Sequence, residues 1–140
     1  MITLEQAKVM VAVARETGRA LGLKPLSVAV LDAGGHLLAF EREDGASPGR
    51  FEIARGKAYG AVMMGMPGSA QMLRAEEQAY FMAAMNGAFD GKVVPVPGGV
   101  LVKDAGGAVL GAVGVTGDTS DNDAAAAIAG IEAAGFSALA

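Results

Sequence analysis

The 140-residue chain has no cysteine, no tryptophan and a single histidine, and only 19% of its residues are charged. Without cysteine there can be no thiol nucleophile, disulfide, iron–sulfur cluster, thiolate zinc site or covalent c-type haem attachment. One histidine also leaves an all-protein zinc site beyond the reach of a single copy. Eleven basic residues against 15 acidic ones give a net charge of -4. That is the wrong sign for a nucleic-acid partner, which requires a basic face to displace phosphate counterions. No run reaches the roughly 18 uninterrupted apolar residues of a membrane span. The start, Met1-Ile2-Thr3-Leu4-Glu5, lacks the basic and apolar regions of a secretory signal, and the expected location is cytoplasmic.

What the chain does have is apolar residues, 52% of the total, together with 21 glycines. Its length suits one domain, residues 1–140, with a core large enough to need no staple. So little charge on so small a body implies that other subunits cover part of the exterior.

Thr3 and Gln6 form a capping box ahead of a stripe of Leu4, Ala7, Val11, Ala14, Gly18 and Leu21. This predicts an amphipathic helix closed by Gly22. Ser27–Leu31 and His36–Phe40, joined by Asp32-Ala33-Gly34-Gly35, predict a β-hairpin. The same turn recurs 72 residues later as Asp104-Ala105-Gly106-Gly107, between Val100–Lys103 and Ala108–Gly111. Helices are predicted over about Arg50–Met64, Ser69–Asn86 and Asp123–Ala134, the last capped by Ser120 or Asp121. A fifth strand is placed near Val93–Val96. The pattern reads as α+β, a five-stranded antiparallel sheet within α/β/α layers.

His36 is the most informative residue, because its counterpart after the second Asp-Ala-Gly-Gly is Ala108. The turn therefore does not require a histidine. Either His36 packs half-buried on a strand end, or it serves a metal, a haem or a proton transfer. Lys57 stands on or near the packed side of an apolar helix. It either snorkels to water or offers a cation to a carboxylate. Gly98-Gly99 is either a plain turn or a nest of N–H groups for an anion. The stretch Thr116–Asp123 caps a helix or, through Asp118 and Asp121, holds a hard cation. Six methionines between Met63 and Met85 fill core or subunit contacts, or line a cofactor cleft.

These segments together resemble the GlcG/HbpS-type family, also found as the C-terminal domain of PduO-type corrinoid adenosyltransferases. The resemblance rests on Leu4-Glu5-Gln6-Ala7, Ser27–Asp32 with Gly35-His36-Leu37-Leu38-Ala39-Phe40, Asp44-Gly45-Ala46, Lys57-Ala58-Tyr59, Pro95–Val100, Gly111–Gly117 and Asp123. The stretch Ser47-Pro48-Gly49-Arg50-Phe51, Gly60 and Leu101 depart from the family's usual pattern. The resemblance implies a profilin-like fold and a homo-oligomer, from dimers up to octamers. It implies haem or a related tetrapyrrole as a ligand in some members, with haem degradation or redox sensing. It also carries over His36 and the Lys57 motif as functional positions.

On this basis His36 is the expected iron ligand, beside an apolar, subunit-lined cleft with Phe51, and Arg50 or Lys57 is the expected partner of a propionate. Two alternatives stand beside it. In a small organic-acid enzyme or sensor, linked to glycolate-type metabolism, Lys57, Gly98, Gly99 and Thr116 would grip the carboxylate and His36 would move a proton. In a scaffold oligomer there would be no turnover.

Overall fold

The computed structural model describes residues 1–140. In chain order the elements are α1 (Leu4–Ala20), β1 (Ser27–Asp32), β2 (Leu37–Arg42), α2 (Arg50–Met64), α3 (Gly68–Glu77), α4 (Ala79–Ala88), β3 (Gly99–Lys103), β4 (Val109–Thr116), α5 (Ser120–Ala133) and β5 (Ser137–Leu139). The five strands form one antiparallel sheet in the order β2-β1-β4-β3-β5. Helices α1 and α5 cover one face and α2 covers the other, giving a profilin-like α/β/α sandwich.

Alternation along the strands assigns the two faces. Val28, Val30, Val100, Val102, Val113 and Val115 point toward α1 and α5, where they meet Met10, Val11, Ala14, Ala126, Ala127 and Ile131. Leu31, Leu101 and Ala112 point to the other side, against Ala58 and Ala61 of α2. Because both faces are covered, the central strands read as continuous apolar runs. Each valine or leucine shut away in this manner contributes about 1.5–3 kcal/mol.

Helix α2 lies unusually close to the sheet. A Cβ at Gly114 would overlap the Ala54 carbonyl oxygen, so only glycine allows the helix backbone to rest on β4 at that point. This contact fixes where α2 places its side chains along the strands.

The Thr3–Gln6 capping box forms in both directions, at 3.1 and 2.9 Å. The two Asp-Ala-Gly-Gly hairpins are also close structural copies. In each, the leading aspartate accepts an N–H from four residues on, at 2.9 Å, and each ladder slips by one residue just before the turn.

Three sequence expectations differ from the structure. The fifth strand is Ser137–Leu139 against β3, not Val93–Val96. Pro95 and Pro97 limit ladder donors in that segment, which instead runs past α2 through Val94 N–H donating to Gly56 O. The predicted Ser69–Asn86 helix is two helices, interrupted at Gln78 with φ -140° and ψ 68°. The last helix is capped by Thr119, whose hydroxyl accepts from Asn122 N–H, rather than by Ser120 or Asp121.

Candidate functional site

The β1–β2 turn holds His36 in the open, with 82% of its side chain exposed. It does not pack half-buried on the strand end. Its Nδ1 lies 3.3 Å from Asp32 Oδ1. Asp32 Oδ1 also accepts the N–H groups of Gly34 and His36, both at 2.9 Å. The His36 N–H is the largest cause holding the Asp32 carboxyl below its usual range. The same bond is made by Ala108 N–H to Asp104, so the imidazole plays no part in building the turn.

Apolar residues lie on both faces of the turn. The turn rests on Tyr59 and Met63 of α2, close enough that a Cβ on Gly35 would press on Met63 and touch Tyr59. Leu37, next in sequence, is 48% exposed. Alongside Asp32 and Gly34 opens a depression of about 450 Å³ lined by Met1, Ile2, Ala33, Leu38 and Leu110.

Lys57 sits elsewhere, and it does not snorkel. Its Nζ donates to Val115 O at 2.9 Å and to Asp123 Oδ2 at 3.1 Å, with 3% and 1% of the two charged side chains exposed. Asp123 also accepts the Asp118 N–H at 2.9 Å. Burial pushes the Lys57 amine down and the Asp123 carboxyl up, each opposed by the charge of the other. The cation expected to await a ligand carboxylate already has one, supplied by the first turn of α5. Gly98 and Gly99 belong to this buried junction too. A Cβ on Gly99 would overlap the Lys57 carbonyl, and one on Gly98 would crowd Lys57 Nζ and Val115 O. They let α2 and the lysine pass, and they face no cavity.

Arg50, the first residue of α2, donates from Nη1 to Thr116 Oγ1 at 2.7 Å and from Nε to Ser47 Oγ at 3.1 Å. The neighbouring Phe51 turns inward, edge-to-face on Phe40 at 4.9 Å, with the Arg55 guanidinium 5.6 Å from its ring centre. Arg50, Lys57, Gly98, Gly99 and Thr116 are therefore gathered at one end of the sheet. His36 is not among them. Thr116 stands opposite Ser27, whereas His36 is level with Asp32 at the far end of β1, about 17 Å of strand away. No single copy brings His36 and Arg50 to one ligand.

Asp118 and Asp121 do not gather with a third metal-ligating side chain, and no such cluster exists in the fold. Asp118 instead anchors the loop. It accepts from Asn122 Nδ2, Lys24 N–H and Thr119 N–H, and these bonds hold its carboxyl down to about 2.

The comparison that decides the relationship is with a family model, haem-degrading HbpS-like proteins, which matches residues 2–132. The chain belongs to the HbpS-like family. Solved structures agree with it. A double mutant of Streptomyces reticuli HbpS superposes with a TM-score of 0.79 at 31% identity, covering 93% of this chain and 84% of that one. A PduOC:heme complex gives a TM-score of 0.84 at 24% identity, covering 96% and 95%, and so shows the shared fold. Klebsiella pneumoniae protein ORFY gives 0.83 at 23% identity, covering 95% and 90%. Among proteins of curated function, none matches the chain.

Two residues beside His36 and Lys57 were not singled out by the sequence. Asp32 forms the turn, and it also stands 3.3 Å from the imidazole. Asp123 was read only as a helix opener, yet it neutralises Lys57. The repeated Asp-Ala-Gly-Gly turn, with histidine after only one copy, was the available signal for Asp32.

Proposed function

We propose that the protein binds haem, with His36 as the iron ligand. The observation carrying this reading is the exposed imidazole of His36, backed at Nδ1 by Asp32 and dispensable to its own turn. A carboxylate behind one ring nitrogen fixes the tautomer and raises the basicity of the other, the usual support of a metal-ligating histidine. The apolar depression beside Asp32 and Gly34 suits the flat hydrocarbon face of a porphyrin. Membership of the HbpS-like family and the fold shared with a PduOC:heme complex support the choice of ligand. Bound iron would supply one-electron and oxygen chemistry; the chain supplies the ligand, its orientation and exclusion of water.

The depression is open on one side, and a second copy of the chain is the natural cover. Helix α4, Ala79–Ala88, carries no charged residue, yet only Met82 in it is buried. Tyr80 is 73% exposed and Leu73, on α3, 54%. Apolar surface of this kind marks an assembly interface. We assign it to a homo-oligomer.

Hemin titration followed at the Soret band tests the reading. Wild type should give a saturable red shift that His36→Ala abolishes. A spectrum insensitive to that substitution would remove His36 from the account.

A further inference from the structure

The opposite end of the sheet carries a cation that nothing in the chain neutralises. Arg50 is half-buried, and both of its hydrogen bonds go to neutral hydroxyls, Thr116 Oγ1 and Ser47 Oγ. Four of the 11 basic residues, Lys8, Arg15, Arg19 and Lys57, form ion pairs, and Arg50 is among the seven that form none. Three of the five guanidinium N–H donors remain free.

Those donors border a cleft of about 230 Å³ lined by Lys24, Pro25, Gly45, Ser47, Arg50 and Gly117. The close approach that shapes it is built in, because a Cβ on Gly117 would overlap the Pro25 carbonyl. Outside the cleft lining, a buried polar group opposite Thr116 is unmet. The Ser27 hydroxyl is fully buried and has no hydrogen-bond partner. Ser27 stands directly opposite Thr116 in the β1–β4 ladder, so both hydroxyls rise from the same face of the sheet, where Arg50 arrives. No side chain caps α2 at Gly49, although Glu52 in its first turn offsets part of the positive potential of its first amides.

We infer that this cleft is a second ligand site, separate from His36, that takes the carboxylate of a small organic acid. The planar guanidinium fork matches the two oxygens of a carboxylate, and Lys24 at the rim offsets the charge of Asp118. Volume and lining limit the ligand to a few carbons; a porphyrin would need a larger, apolar site. Lys57 takes no part, since Asp123 already holds it. The neighbouring Asp118 keeps its negative charge, and the Lys24 ammonium is the cation that acts on it, which leaves Arg50 as the free cation of the cleft. A carboxylate could come from a free acid or from the propionate of a haem held mainly by another copy.

Thermal melts with sodium acetate, lactate and succinate, against sodium chloride at matched ionic strength, test this. At least one acid should raise Tm saturably. The rise should vanish in Arg50→Gln, weaken in the surface variant Lys24→Ala, and survive intact in His36→Ala, which separates this site from the haem reading. Arg50→Lys, with unchanged far-UV dichroism, checks that the fold persists while the fork is lost. Titrations of hemin and hemin dimethyl ester into wild type and Arg50→Gln identify the source. A roughly ten-fold weakening for hemin but not for the ester assigns the carboxylate to a propionate. No change in either, with the acid response lost, assigns it to a free acid. If chloride matches the acids, or Arg50→Gln still responds, and hemin binding ignores Arg50, the inference is wrong.

Discussion

Lys57 Nζ and Asp123 Oδ2 meet 3.1 Å apart with almost no solvent access, joining α2 to the first turn of α5 beside the end of β4. Removing one member strands the other charge in a dry site, which costs about 3–5 kcal/mol. Lys57→Met and Asp123→Leu should each lower urea stability by that order. The double variant should recover part of the loss, because two apolar side chains leave no orphaned charge. A double-mutant cycle in urea checks this, and strictly additive losses would show that the pair is not coupled.

Asp118 gives a pH prediction of definite sign. Its folded carboxyl is held down to about 2, below the ordinary 3.8. The unfolded chain therefore takes up this proton first as pH falls, and the stabilisation is present above about 4 and lost between about 4 and 2. Asp118→Asn should flatten the fall in urea midpoint across that window relative to wild type. An equally steep fall in the variant would assign the acid sensitivity to other groups.

The Gly114 contact sets the height of α2 above the sheet. Gly114→Ala would drive a methyl into the Ala54 carbonyl, backbone against backbone, where no side chain can yield. A loss of about 3 kcal/mol is expected, read as a lower chemical-denaturation midpoint. Ala at exposed Gly87, where a Cβ would meet nothing, is the matched control and should be nearly neutral.

Tyr80→Asp tests the assembly interface. Because the side chain is 73% exposed, the substitution should leave the folded subunit within about 0.5 kcal/mol of wild type. A buried aspartate in an apolar interface should instead break the oligomer, seen as a smaller mass by light scattering. An unchanged mass would move the interface away from α4.

Much of the fold was legible because it rests on local signals. The Thr3–Gln6 box and the paired Asp-Ala-Gly-Gly turns act over three or four residues, and both form as the residue types require. Strand β5 was missed because Ser137-Ala138-Leu139 is too short to show a period, and β3 supplies its pairing from 36 residues away. The break at Gln78 carries no glycine or proline to announce it. At the site, His36 was visible through the contrast with Ala108. The Lys57–Asp123 pair was not, because the partner lies 66 residues on and only the tertiary fold joins them. The same distance separates Arg50 from Thr116.

The chain's single histidine makes one measurement unusually direct. Protein labelled with nitrogen-15 only at histidine, loaded with hemin, can be examined in the ferric state by electron–nuclear double resonance. With His36 on the iron, strong coupling to a nitrogen-15 nucleus is predicted beyond that of the four porphyrin nitrogens. A stably bound ferric haem with no nitrogen-15 coupling would contradict the account.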